Sequence, residues 1–466
     1  MITFLLSIVL LIAGYFVYGK LVEKVFGANS SKPTPAISKA DGVDYVEMST
    51  WRNSLIQLLN IAGVGPIFGP IAGALFGPVA FLWIVLGAIF AGAVHDYLTG
   101  MISIRNGGAH LPELARKYLG KGFSHVVNAF SVLLLLLVGT VFVTSPAGLL
   151  HTLMNGWMPL TVILIVIFIY YILSTILPID KIIGRLYPLF GALLVISSAG
   201  IGIWLVASGA PIPEITLENL HPDNLPIFPM LFLTITCGAL SGFHATQTPI
   251  ISRSLNKENN GRKVFYGMMI AEAVIAMIWA AAAMSVYDPA TLAGMEPAQV
   301  VMEVSVMALG AFGGTLAILG VIILPITSGD TAFRSARMII ADYLKICQQK
   351  LGNRIWVALP LFVISIILTQ VDFNILWRYF SWANQTTAAI ALWIGAVYLA
   401  RQKSFHWIAT IPAIFITCVV FTYILNAKIG FNLPMNISFI FSVIITIVLT
   451  GLFFRKVYKN SEIGVQ

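Results

Sequence analysis

Few ionisable residues interrupt the apolar stretches of this 466-residue chain, so each marks a place where chemistry is worth its solvation cost. His95 and Asp96 are adjacent in "GAVHDYLTG", a pair suited either to ion gating or to a bond with a nearby arginine. Glu272 stands alone in "YGMMIAEAVIAMIW". A carboxyl in such surroundings suits a proton carrier, and equally a hydrogen bond to a neighbouring helix. "TITCGALSGFHATQTP", residues 234–249, concentrates Ser241, His244 and Gln247 beside Gly238, Gly242 and Pro249. Thr327, Ser328, Asp330 and Thr331 offer hydroxyl and carboxylate oxygens, the hard donors a small cation or a proton site uses. The plainer reading of Asp330 is an i,i+4 pair with Arg334 at the membrane edge. Asn384 and Gln385 supply amides in "YFSWANQTTAAIAL" that either cross-link helices or read a substrate. Arg378 either attracts an anion or snorkels to the interface.

These residues need a scaffold, and the composition says which kind. The chain is 58% hydrophobic and 10% charged, with a mean hydropathy of +0.91, whereas a soluble domain has about 25% charged residues. A helix of about 20 apolar residues spans a bilayer. That length predicts an all-α polytopic membrane protein with about 13 crossings: 2–19, 54–76, 79–103, 124–150, 159–177, 186–208, 226–250, 264–286, 304–329, 355–371, 374–400, 405–426 and 434–455. The first is expected to be a retained helix rather than a cleaved signal peptide, having no basic start and no small-residue cleavage site. Alternate loops hold 25 of the 27 Lys and Arg residues, with only Arg378 and Lys428 on the other side. The positive-inside rule then puts the N-terminus outside and the C-terminus in the cytoplasm. The net charge of +8 reflects orientation and not nucleic-acid binding. Three scattered cysteines form no zinc or disulfide pattern, and no cofactor is expected.

Two spans carry helix breakers. "NIAGVGPIFGPIAGALFGP", residues 60–78, has Gly63, Gly65 and Pro66 just after Asn60, and the second break is the 234–249 stretch. Gly65, Gly69, Gly73 and Gly77 also read as a small-residue packing stripe. Each break opens a group of five crossings, and an odd group reverses the next one. The result is a 5+5 inverted repeat with a broken first helix in each half, the layout of transporters that bind substrate at the midplane. The expected organisation is an extra N-terminal helix (1–20), a cytoplasmic segment (21–53), a first repeat (54–209), a second repeat (226–401), two extra helices (405–456) and a tail (457–466).

Together "NIAGVGPIFGPIAGA", "GAVHDYLTGMISIRNGG", "CGALSGFHATQTP", "TSGDTAFRSAR" and "LWRYFSWANQTTAAIAL" resemble the carbon starvation protein A (CstA) family of bacterial inner-membrane transporters, in order over residues 60–392. The resemblance implies ion-driven uptake, with pyruvate the substrate of some members and peptides proposed for others, and a LeuT-type fold of the amino acid–polyamine–organocation superfamily. It also implies a sodium site in which Leu59 and Ala62 give carbonyls and Thr327 and Ser328 give hydroxyls, with Asp330 a further ligand or the proton acceptor.

The expectation is therefore an inner-membrane symporter of a small carboxylate, foremost pyruvate, coupled to protons or sodium. Substrate is expected between Asn60, Gly63 and Gly65 on one side and Ser241, His244 and Gln247 on the other, with Asn384 and Gln385 close by. No Lys or Arg is expected at mid-membrane, so helix N-termini must supply positive potential. His244 is an alternative proton carrier, with Asp96 and Glu272 as gating or proton-carrying candidates. Peptide import is the alternative within transport. An intramembrane hydrolase is remote, because "GALSG" is not GxSxG and no HExxH occurs. A channel fits an inverted repeat less well than alternating access does. Lipid, substrate and coupling ion are the expected partners; oligomeric state has no signature in the sequence.

Overall fold

Every backbone polar group must be satisfied internally in lipid, so long apolar runs become helices. A computed structural model describes all residues except 42–44, 155, 177–179, 349 and 463–466, and leaves undescribed the side chains of 175–188, 190 and 458–462 as well. The predicted basic turn with Lys181 and Arg185, and most of the tail 457–466 with Lys459, therefore lie outside the described side chains. Among the described residues the protein is helical, with one isolated bridge, Met48 to Leu255, and no strand.

The helices are α1 (Ile2–Phe26), the bent pair α2a (Thr50–Ile61) and α2b (Gly65–Phe76), α3 (Val79–Arg105) and α4 (Lys121–Leu153). Then come α5 (Leu160–Ile176), α6 (Asp180–Ala207), the pair α7a (Ile227–Thr234) and α7b (Gly242–Ser252), and α8 (Glu258–Val286). The last are α9 (Pro297–Leu344), α10 (Leu351–Leu368), α11 (Phe373–Arg401), α12 (Trp407–Asn426) and α13 (Met435–Val457). Among the described residues eight helices are long and apolar enough to cross a membrane, or nine with the α2 pair, which bends by 49°. Exposed leucines, isoleucines and valines crowd the outer faces of α1, α5, α10 and α13, while Asp96, His244 and Glu272 are enclosed, the polarity expected of a protein in lipid.

Several boundaries differ from the hydropathy reading. The first helix continues past residue 20 to Phe26, because "YGKLVEKVF" is amphipathic and the apolar count stops at its charges. The 304–329 span becomes Pro297–Leu344, broken only at Gly310 with φ 69°. Its extension "TAFRSARMIIADYL" holds no Gly or Pro to end a helix, although its charges end an apolar window.

Both expected breaks occur. After Ile61 the chain leaves the helix at Ala62 and restarts at Gly65–Pro66, with Pro tolerated in a first turn. After Thr234 it stays unwound until Ser241, with Gly238 at φ +89°, a conformation glycine adopts without a steric penalty. The two breaks lie against each other. A Cβ on Gly65 would sit 2.3 Å from Cys237 Sγ, and one on Gly73 2.4 Å from the Ile235 side chain. The small-residue stripe therefore packs on the second break through Gly65, Gly69 and Gly73. Gly77 does not belong to it: its φ of +80° makes it the turn into α3.

Candidate functional site

The unwound segment 235–241 has freed its carbonyls, and side chains from other helices satisfy them. Trp83 Nε1 of α3 donates to Ile235 O at 2.9 Å. Gln385 Nε2 of α11 donates to Phe232 O at 3.0 Å and to Leu240 O at 3.2 Å. Its neighbour Asn384 caps α7b: Phe243 N–H donates to Asn384 Oδ1 at 2.7 Å, while Asn384 Nδ2 donates to Ser241 Oγ at 3.1 Å. Asn384, Gln385 and Ser241 thus brace the break, a role the sequence left level with substrate contact for the two amides, while for Ser241 it pointed to substrate contact.

Beside this break lies a buried acid–base chain. Asp96, on α3, follows a π-helical turn at Ala88–Gly92, whose Ile89 carbonyl accepts from Tyr266 Oη at 2.9 Å. That turn lets α3 approach the break so closely that a Cβ on Gly92 would sit 2.2 Å from Ala239 O. Asp96 Oδ1 lies 2.8 Å from His95 Nδ1, and Asp96 Oδ2 lies 2.9 Å from His244 Nδ1 at the start of α7b. Across the His244 ring, Nε2 faces Glu272 Oε2 of α8 at 3.4 Å, longer than a hydrogen bond. The side chains of all four residues are fully enclosed. Three residues that the sequence named separately form one contact path, Asp96 to His244 to Glu272.

Cys237, His244 and Glu272 present donor atoms within 4.8 Å of one another. Ligands on a tetrahedral metal with bonds of 2.0–2.3 Å stand about 3.5 Å apart, so a metal would have to draw these donors together. Sequence reasoning did not single out Cys237, although it opens the quoted "CGALSG", nor Trp83 and Tyr266, whose roles depend on helix packing alone.

The other expected positions separate. Ser328 Oγ donates to Leu59 O at 3.2 Å, where the α2 break leaves that carbonyl without a backbone donor. Thr327 Oγ1 turns back to Leu324 O of its own helix at 2.7 Å, and Ala62 caps α2a through its N–H to Leu58 O. Asp330 bonds Ser174 Oγ of α5 and faces Arg334 Nη2 at 3.4 Å. Of the four expected sodium donors, Leu59 and Ser328 are brought into contact, the Thr327 hydroxyl turns to its own helix and Ala62 ends α2a; Asp330, expected as a further ligand or the proton acceptor, bonds Ser174. Gly63 faces the Phe142 ring, which stands edge-on to Phe243 at 5.8 Å. Asn60 and Gln247 are buried on α2a and α7b, and Gln247 Nε2 donates to Thr246 Oγ1 at 3.2 Å.

A family model described as "Carbon starvation protein CstA" matches residues 1–163, 157–310 and 293–423. The chain is 47% identical over 340 residues to an uncharacterized membrane protein of Haemophilus influenzae, covering 62% of this chain and 92% of that one. It is 25% identical over 505 residues to the peptide transporter CstA of Bacillus subtilis, covering 85% and 84%. To the pyruvate/proton symporter BtsT of Escherichia coli it is 26% identical over 358 residues, 63% of this chain and 50% of that one. Among solved structures, a manganese transporter of Eremococcus coleocola aligns with a TM-score of 0.61 at 13% identity, covering 90% and 98%. Mhp1, a nucleobase-cation-symport-1 family transporter, aligns with a TM-score of 0.54 at 12% identity, covering 89% and 94%. At those identities the likeness concerns the fold alone.

Proposed function

The chain belongs to the carbon starvation protein CstA family, and we propose that it imports a small carboxylate such as pyruvate by symport with protons. It is a transporter and not an enzyme. The observation that carries the coupling is the enclosed path Asp96–His244–Glu272 beside the α7 break. With both carboxyls charged and the His95 and His244 imidazoles neutral, an anion entering the break meets two negative charges in a medium that screens them little. Protons taken up on this path remove that repulsion, and the N-termini of α7b and α2b then supply the positive potential that holds the anion. Release to a less acidic side discharges the protons, repulsion returns, and the substrate leaves. Proton and carboxylate are thereby bound together or not at all.

The organisation that goes with this reading has thirteen crossings, a 5+5 inverted repeat from α2 to α11, N-terminus outside and C-terminus in the cytoplasm of an inner membrane. It draws support from the two broken helices and from the basic residues gathered in alternate loops. Sodium coupling rests on the Leu59–Ser328 contact alone, with Thr327 and Asp330 engaged elsewhere. Peptide import is the second reading. A peptide ammonium would pair with Asp96 or Glu272, and relatives such as that of Bacillus subtilis are peptide transporters.

Uptake into proteoliposomes tests both. Labelled pyruvate should accumulate under an inward proton gradient, with sodium making no difference. Accumulation of a dipeptide without pyruvate would replace the substrate, and accumulation driven only by sodium would replace the coupling ion.

A further inference from the structure

Away from the site, a lipid-facing groove of about 420 Å³ runs between α4, α11, α12 and α13. Its walls are apolar, with Phe123, Phe130, Trp382, Ile390, Val420 and Leu452 among them. The two wall hydroxyls are already engaged: Thr386 Oγ1 donates to Trp382 O at 2.8 Å, and Thr417 Oγ1 accepts from Trp393 Nε1 at 3.0 Å. Apart from the buried Trp382 indole N–H, the walls therefore offer no free polar partner and suit a hydrocarbon chain.

One end differs. Lys456 closes it, its Nζ donating to Leu119 O at 2.6 Å. Arg401 reaches the same turn, with Nη1 3.5 Å from Lys117 O and its guanidinium 5.5 Å from the Tyr118 ring centre. Among the described residues neither cation is in an ion pair; both rest on backbone carbonyls or a ring, with donors to spare. A long apolar groove that ends in two uncompensated cations matches one occupant in shape and charge. We infer that it is a binding site for an anionic phospholipid, an acyl chain lying along α11 and the phosphate held by Lys456 and Arg401. Basic recesses between membrane helices on the cytoplasmic side bind anionic headgroups in this way. Among the described residues no acid is bonded to these cations to receive the ammonium of a zwitterionic headgroup, which sets the preference.

Native mass spectrometry of the purified protein titrated with phosphatidylglycerol or phosphatidylcholine tests this. Phosphatidylglycerol should be retained over phosphatidylcholine. Lys456→Gln with Arg401→Gln should weaken it about thirty-fold, two charges at about 1 kcal/mol each, while Lys456→Arg should bind like the parent. Equal retention of both lipids, or unchanged binding by the double variant, would overturn the site. Cross-linking of Leu452→Cys between two copies in vesicles would put a second chain in the groove and overturn it equally.

Discussion

Asp96 is bonded to two imidazoles at once, and its neighbour in space, His244, stands 148 positions away in the sequence. Each residue was legible as an expensive polar group in an apolar run, but their juxtaposition was not, because no local spacing relates α3, α7b and α8. For Asn384 and Gln385 only the amide donor types were legible in the sequence; the freed carbonyls they serve exist only once α7 has unwound. Asn384→Ala should leave the Phe243 N–H and Ser241 hydroxyl without their cap, lowering stability by about 1–3 kcal/mol. A thermal-melt series in detergent reads this, and an unshifted melt would remove the capping role. Ser328→Ala should leave transport equally indifferent to sodium before and after the change. Emergence or loss of a sodium dependence on that substitution would restore the cation site at Leu59.

The breaks are the elements best read from sequence, since Gly63, Gly65, Pro66 and Gly238 weaken helices for local reasons. What was not legible is how closely the pieces approach. Gly92→Ala would drive a methyl into the Ala239 carbonyl and should cost about 1–3 kcal/mol or more, with loss of transport. Gly148→Ala, on α4 with open space around it, should stay within about 1 kcal/mol of the parent and transport normally. Similar melts for the two would show that the α3–α7 approach is not tight. The loop after α3 carries a further test. Burial, aided by Arg253, pushes the His110 imidazole down to about 3. When this loop opens, His110 titrates near its ordinary 6.5. The open form thus takes up a proton that the closed form refuses, and closure weakens as pH falls from about 6.5 towards 3. Protection factors over residues 106–118, that is, exchange rates corrected for the intrinsic pH dependence of amide exchange, should fall at pH 5 relative to pH 8, and His110→Gln should remove most of that difference. Protection factors independent of pH in the parent would contradict the assignment.

At the scale of the whole molecule, hydropathy placed the helices well because lipid demands them, and misjudged the ends wherever an amphipathic extension carried charge, as at Phe26 and Leu344. It could not say that the helices enclose one acid–base path. That path is the centre of the proposed function, in which proton and carboxylate cross together. The direct test is substrate accumulation by proteoliposomes under an imposed proton gradient, with proton entry followed by an internal pH dye, for the parent and for Asp96→Asn. The parent should take up protons with substrate and concentrate it, while Asp96→Asn should exchange labelled for unlabelled substrate without concentrating it or moving protons. Proton-driven accumulation by Asp96→Asn equal to that of the parent would contradict the account.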